Sequence, residues 1–285
     1  MPELPEVEIV RQSLNRQVKN QKILNIQVNN RKLRLKVPKN FEKIFKNTVI
    51  ENIQRKSKYL ILVFDNHLYC VIHLGMSGTL HFIGLKKKTT NLSFYGSQSL
   101  PKKHNHIIFR FKNFKLIYND PRRFGFFKIL ENKKDYLKFF TRIGPEAISK
   151  DFNKKYLSQI LKNRTKNIKN LLLDQKLVSG LGNIYVNEIL FQAKINPFKK
   201  SYLINLDENK RIVKYSKIIL KKAIHFGGSS IRDFKGITGK SGNFQSEFKV
   251  YDRAKKRCSR NNCSGQINRK IISNRSTFLC SVCQK

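Results

Sequence analysis

Leu171-Leu-Leu-Asp-Gln-Lys-Leu-Val-Ser-Gly-Leu-Gly-Asn-Ile-Tyr-Val-Asn-Glu-Ile-Leu-Phe191 joins two helical patterns through Gly180-Leu181-Gly182. Glycines permit left-handed turns, and the helix that follows opens on main-chain N–H groups suited to a phosphate. Asn183 stands where it can cap that helix. A helix, a double turn and a second helix can grip a nucleic-acid backbone, and an ordinary helical hairpin has the same pattern. Arg164 and Lys169 nearby favour backbone binding, because cations there add to the field of the helix terminus.

Towards the C-terminus, a last helix is expected with Asp207 as its N-cap, Ile212, Tyr215 and Ile219 on its apolar face, and Gly227-Gly228 as its stop. Gly236 to Gly242 reads as a mobile polar loop ahead of a short strand at Phe248 to Tyr251. Cys258, Cys263, Cys280 and Cys283 then form two pairs, the donor set of a closed tetrahedral zinc site. Between the pairs Ile267, Arg269 and Ile271 alternate, Ser273-Asn274 supplies a turn, and Thr277 and Leu279 return, so the module reads as a zinc-clamped β-hairpin. Residues 251–285 hold nine Lys or Arg against Asp252 alone. A structural zinc knuckle without ligand contacts has the same spacing, and Arg275 near the tip is then one more solvated charge.

Towards the N-terminus the period changes. Pro5 with Glu6 and Glu8 suits a first helical turn, and Val7, Val10, Leu14 and Val18 recur at helical spacing. From about residue 22 to 131 the period is two, as in Leu24, Ile26, Val28 and again Leu33, Leu35, Val37. Short β-rich runs follow at Tyr59 to Phe64, Leu68 to His73, Ile107 to Phe111 and Phe114 to Tyr118. Such punctuated strands read as a sandwich or barrel.

The 285-residue chain carries 59 Lys and Arg against 18 Asp and Glu, a formal net charge of +41, which points to a polyanionic partner, nucleic acid before others. A biased genome contributes to such a composition as well. No apolar run approaches the ~20 residues that span a bilayer, and the acidic, proline-containing start lacks the plan of a signal peptide, so a cytosolic protein is expected. Clustered cysteines in a reducing compartment favour metal over disulfides, while Cys70 lies alone in an apolar stretch.

Six segments in order, Pro2-Glu-Leu-Pro-Glu-Val-Glu8, Lys58-Tyr59-Leu60, His73-Leu-Gly-Met-Ser-Gly78, Asn119-Asp-Pro-Arg-Arg-Phe-Gly125, Gly180 to Phe191 and the terminal cysteines, together resemble the formamidopyrimidine-DNA glycosylase family. The resemblance runs from end to end. It implies an α+β fold: an N-terminal β-sandwich flanked by helices, and a C-terminal helical domain with a helix-two-turn-helix and a zinc-finger β-hairpin. The corresponding division is 1–135, 150–235 and 248–285. It further implies removal of 8-oxoguanine and formamidopyrimidine lesions from damaged double-stranded DNA by a monomer, followed by β,δ-elimination.

By the same resemblance Pro2 is the nucleophile, Glu3 moves protons at the sugar, and Lys58 and Arg275 serve β- and δ-elimination. Met76, Arg122 and Phe124 map to a wedge that enters the base stack. His104, Arg164, Lys169 and Asn183 map to phosphate contacts, Ser229 to Lys240 to a cap over the everted base, and Cys258, Cys263, Cys280 and Cys283 to zinc ligands. The chemistry suits the residues, since a terminal amine has a pKa near 7.7 to 8.0 against about 10.4 for lysine. Pro2 qualifies only once Met1 is removed. Without the resemblance, Pro2 and Pro5 read as shaping the first helix, and Glu3 and Glu8 as acids at its N-terminus.

The first cysteine pair encloses four residues where the family usually has two, which bears on finger geometry near Arg275. Asn105 and Asn187 stand where aspartates are common. An endonuclease VIII-like enzyme for oxidised pyrimidines and a non-catalytic zinc-containing DNA-binding protein are the rivals. Leu4 and the Asp-Pro-Arg-Arg-Phe-Gly segment favour the purine branch, and Pro2, Glu3 and Lys58 favour an enzyme.

Overall fold

The computed structural model describes residues 1–84, 89–93, 100–229 and 243–285. Two compact units result: Met1–Thr141 with Phe226–Asn243, and Arg142–His225 with Phe244–Lys285.

The first unit opens with helix α1 (Leu4–Gln17), whose Val7, Val10 and Leu14 are wholly buried. Strand β1 (Asn25–Val28), the short helix α2 (Phe41–Phe45) and strands β2 (Ile50–Lys56), β3 (Tyr59–Phe64), β4 (Tyr69–His73), β5 (Thr79–Gly84) and β6 (Thr89–Asn91) follow. Next come β7 (Asn105–Arg110), β8 (Phe114–Asn119), β9 (Phe126–Leu130) and helix α3 (Lys133–Phe140). One sheet runs β1-β7-β8-β5-β6 and the other β2-β3-β4-β9. Every pairing is antiparallel.

The sheets share one core. Leu60, Leu62, Phe64 and Ile72 of one sheet cluster with Ile107, Phe109, Leu116 and Tyr118 of the other, and the Tyr118 and Phe127 rings meet edge to face at 4.9 Å. Each such buried apolar side chain contributes about 1.5–3 kcal/mol. Cys70 of β4 lies in this core with no exposed surface. The Leu33-Leu35-Val37 alternation does not form a strand: the segment folds as bends, with Leu35 42% exposed and Arg31 donating to Pro38 O at 2.6 Å.

The second unit contains helices α4 (Lys154–Leu161), α5 (Ile168–Leu173), α6 (Asn183–Gln192) and α7 (Leu206–His225) and the hairpin β10 (Ile267–Ile272) with β11 (Arg275–Cys280). Ser273 and Asn274, at φ of 46° and 58°, make the two-residue turn expected between them. Of the isoleucines read as alternating, Ile267 is buried but Ile271 is 68% exposed.

The cap of α7 differs from expectation. Asn205 takes it, its Oδ1 accepting the Glu208 N–H at 2.9 Å while Glu208 accepts the Asn205 N–H at 2.9 Å. This reciprocal pair satisfies two otherwise orphaned donors, and Asp207 falls inside the first turn. The strand expected at Phe248 to Tyr251 is absent because the Glu188 carboxylate already takes the N–H groups of Lys249, Val250 and Tyr251, at 3.0, 3.0 and 2.8 Å. No described helix is long and apolar enough to cross a membrane.

Candidate functional site

In the first unit, Pro2 is buried and Glu3, 2% exposed, is the N-cap of α1. Glu6 Oε2 accepts the Glu3 N–H at 2.9 Å, and Oε1 accepts both the N–H and the hydroxyl of Ser229, at 2.8 and 2.9 Å. Glu6 thus ties the first residues of the chain to Ser229. The remainder of the expected cap, from residue 230, lies outside the described residues.

Glu8 is not a helix-end acid. It bridges α1 to the β2–β3 turn, accepting from Arg11 at 2.7 Å and from Arg55 at 2.9 Å, while Arg55 also donates to Ser57 O at 3.0 Å. Burial pushes the Glu8 carboxyl up, but the two guanidinium groups outweigh it and hold it below the usual range. This brace fixes the turn that carries Lys58, itself only 5% exposed.

The amine of Met1 lies among these groups. Burial holds it below the ordinary terminal-amine value, Lys58 and Arg122 act in the same direction, and Glu3 and Glu6 oppose them. An amine so placed has a larger neutral, nucleophilic fraction near pH 7 than an exposed one.

Met76 and Phe124 are 46% and 44% exposed, large apolar side chains left in solvent on two neighbouring turns. The Arg122 guanidinium lies 4.5 Å from the centre of the Phe124 ring. His104 is half-buried beside this region, in a short helical turn before β7.

The Met76 turn begins at a neutral histidine. His73 Nδ1 accepts the Gly75 N–H at 3.0 Å, and burial, with Arg34 and Lys58, pushes the imidazole down to about 4. His81 is likewise down at about 4 through burial. Both values lie below the ~6.5 of an unfolded histidine, so the unfolded chain takes up these protons first as pH falls. The stability present above about pH 6.5 is expected to drop towards pH 4, by about 3 kcal/mol per histidine. Urea unfolding at pH 7, 5.5 and 4.5 should show this slope, reduced in His81→Gln; equal slopes for both proteins would refute the assignment.

In the second unit, Gly180 makes the expected left-handed turn at φ 91°. Gly182, not Asn183, is the N-cap of α6. Asn183 occupies the first helical position and its amide donates to Ser276 O at 3.0 Å. Lys169 departs further from expectation: it is fully buried, and its ammonium donates to Ser276 O at 3.0 Å and Thr277 Oγ1 at 2.8 Å. The acceptors of β11 consume a charge that the sequence reading gave to phosphate. Arg164 and Arg275 are exposed.

Asn187 and Glu188 complete this grip and were missed as a latch. Asn187 Oδ1 accepts the Phe278 N–H at 2.9 Å, and Glu188 binds the segment 249–251 as described above. Two polar residues inside the otherwise apolar run Ile184 to Phe191 were the available signal, since buried polar groups must find partners. On the far side, Arg260 donates to Phe191 O at 2.6 Å and lies 4.7 Å from the Phe191 ring centre, so this finger cation is structural.

The four cysteine sulfurs lie within 4.8 Å of one another, with Cys258–Cys283 at 3.8 Å and Cys263–Cys280 at 3.6 Å. A tetrahedron with metal–sulfur bonds of about 2.3 Å has edges of roughly 3.8 Å, so the donors fit a metal despite the longer first loop. Burial, and then the neighbouring thiols, push Cys283 up to about 12, and a cation at the centre reverses that.

The family model for the formamidopyrimidine-DNA glycosylase N-terminal domain matches residues 1–127, and that for the H2TH domain of the same enzymes matches residues 143–235. A formamidopyrimidine-DNA glycosylase of Wolbachia pipientis subsp. Culex pipiens (strain wPip) is 39% identical over 285 residues, covering 100% of both chains. That of Roseobacter denitrificans is 39% identical over 287 residues, again covering 100% of both. Among solved structures, Lactococcus lactis Fpg in complex with abasic site containing DNA aligns at a TM-score of 0.87 with 34% identity over 99% of each chain. A mutant of it with Fapy-dG containing DNA aligns at 0.89 with 35% identity over 100% of each. Matched in both of its units and along its whole length, the chain belongs to the formamidopyrimidine-DNA glycosylase family.

Proposed function

We propose that this DNA glycosylase excises oxidised purines, 8-oxoguanine and formamidopyrimidines, from duplex DNA through a Schiff base on Pro2, and then cuts the strand by β,δ-elimination. The observation that carries the reading is geometric: Pro2 is buried at the head of the chain, next to Glu3 at 2% exposed, and Lys58, 5% exposed, lies close enough to act on the chain's terminal amine. With Met1 removed, the Pro2 nitrogen attacks C1′ as the glycosidic bond breaks, and the proton it gives up goes to the departing base. Glu3 supplies the proton to the sugar ring oxygen as the ring opens, leaving an iminium on Pro2. Lys58 and Arg275 hold the flanking phosphates and assist the two eliminations, and His104, Arg164 and Asn183 add backbone contacts. Lys169 acts from below, holding the strand that presents Arg275. Cys258, Cys263, Cys280 and Cys283 hold one zinc ion, which stabilises the finger and takes part in no step.

Met76, Arg122 and Phe124 enter the stack when the damaged nucleotide is everted. Phe124→Ala is therefore expected to lower excision of 8-oxoguanine on the order of tenfold or more, and cleavage of a preformed abasic site less, as measured by single-turnover nicking. Equal losses on both substrates would count against an intruding role.

Borohydride trapping on an 8-oxoguanine:cytosine duplex tests the whole reading. A covalent adduct mapping to the Pro2 peptide supports it. An absent adduct with duplex binding intact points to a non-catalytic DNA-binding protein, and an adduct confined to oxidised pyrimidines moves the substrate class to the sister branch.

A further inference from the structure

The turns bearing Met76 and Arg122-Phe124 converge on one buried carboxylate. Asp120 has no exposed surface. Its Oδ1 accepts the Ser77 hydroxyl at 2.5 Å and the Arg122 N–H at 3.3 Å, and its Oδ2 accepts the Tyr118 hydroxyl and the Gly125 N–H, both at 2.9 Å. The main chain of Asp120 is fixed as well, its N–H donating to His104 O at 3.1 Å and its carbonyl meeting His106 Nε2 at 2.7 Å.

The two turns also touch backbone to backbone. A Cβ on Gly75 would lie 2.5 Å from Gly125 N and Phe124 C, and one on Gly125 would lie 1.8 Å from the Tyr118 hydroxyl. Four donors converge on a group that only accepts, and an amide in its place would turn its NH2 towards two of them. The hydroxyls can reverse their role. The N–H of Arg122 or Gly125 cannot.

We infer that Asp120 is a positioning residue that joins the two turns into one preformed tip, so that Met76, Arg122 and Phe124 enter the DNA stack as a single rigid group. The inference rests on reading those three side chains as the intruding group. Its logic is preorganisation: a tip already fixed loses little freedom when it displaces a stacked base. With no exposed surface, Asp120 is placed to act only through the side chains it orients.

Ser77→Ala cuts the strap to the Met76 turn and leaves the core untouched, and Asp120→Asn weakens both sides. Single-turnover nicking would be measured on an 8-oxoguanine duplex and on a preformed abasic duplex, with 2-aminopurine fluorescence beside the lesion reporting eversion. For Ser77→Ala, the expected result is a roughly tenfold loss on the lesion, the scale of one hydrogen bond, with abasic cleavage within about twofold. The eversion signal should slow in parallel, Ser77→Thr should restore it, and the Ser77→Ala effect should shrink in a Met76→Ala background. If Phe124→Ala impairs lesion excision while Ser77→Ala and Asp120→Asn do not, the coupling is wrong and the intruding reading stands. If Phe124→Ala and Met76→Ala spare eversion too, both are overturned. Equal losses on lesion and abasic substrates for Ser77→Ala would make Asp120 a stability element and overturn the inference. Should Asp120→Asn not fold, Ser77→Ala still decides.

Discussion

Adding one residue ahead of Pro2, or keeping Met1, is expected to remove the borohydride-trapped adduct entirely while duplex affinity stays within a few-fold. An acylated proline nitrogen shares its lone pair with a carbonyl and can neither attack C1′ nor become an iminium. Neither nearby amine is expected to substitute: Lys58 is buried in the turn that Arg55 and Glu8 brace and has the higher intrinsic pKa, and the amine of an added or retained residue sits one residue out from the nitrogen that must reach C1′. The expected fall in turnover is on the order of 10⁴ or more, the scale seen when a nucleophile is lost. The rate of the processed chain should also report the environment of the amine. Burial holds the Met1 amine down, with Lys58 and Arg122 acting the same way; if the Pro2 nitrogen freed by processing meets the same surroundings, trapping should rise with pH and level off below the ~8 of an exposed terminal amine. A plateau above pH 9 would show that Glu3 and Glu6 win instead, and an adduct on the extended chain would sink the proline mechanism.

The second large effect is expected at the finger. Cys280→Ser, or zinc removal by a strong chelator, should unfold the hairpin and cut duplex affinity more than about a hundredfold, with the first unit still folded. The apolar support for this module is small: Phe191, Val250, Ile267 and Phe278 with two of the cysteines. Structural zinc in comparable small modules is worth about 10–16 kcal/mol, well beyond what such a cluster provides. Opposing this, Lys169, Asn183, Asn187 and Glu188 hold the same region through hydrogen bonds. A neutral bond contributes about 0.5–1.5 kcal/mol net and one to a charged group about 1.5–3, less the cost of burying Lys169 and Glu188, so they are not expected to suffice alone. Metal content, tyrosine fluorescence and duplex titration of Cys280→Ser would decide, and retained affinity without metal would mean that the helical grip carries the finger.

The fold was legible where periodicity reflects burial. Val7, Val10 and Leu14 announced α1, and the runs at Tyr59 and Phe114 announced strands, because one face of each element packs on the shared core. It was not legible where polar groups compete. Leu33, Leu35 and Val37 alternate like a strand, yet Arg31 captures the backbone at Pro38, and the strand expected at Phe248 to Tyr251 gives the donors of Lys249, Val250 and Tyr251 to Glu188, 61 to 63 positions earlier in the chain. Strands β2, β5 and β9 carry polar or glycine residues that blurred their pattern. At the site, Glu3 and Lys58 both lie close enough to the chain's terminal amine to act on its charge, whereas Lys169, expected at a phosphate, is buried. Its burial depends on the carbonyl of Ser276, a partner 107 positions away that no local spacing reveals.

Cys70 adds an experimental handle. Burial pushes its thiol far above the usual range, leaving almost no thiolate to react in the folded protein. An alkylating reagent should therefore ignore it until the sandwich opens. With metal bound, the folded protein should label at no site; as the finger opens, labelling should rise towards four, and a fifth should appear only on global unfolding. One mass spectrum thus separates local melting from collapse of the whole molecule.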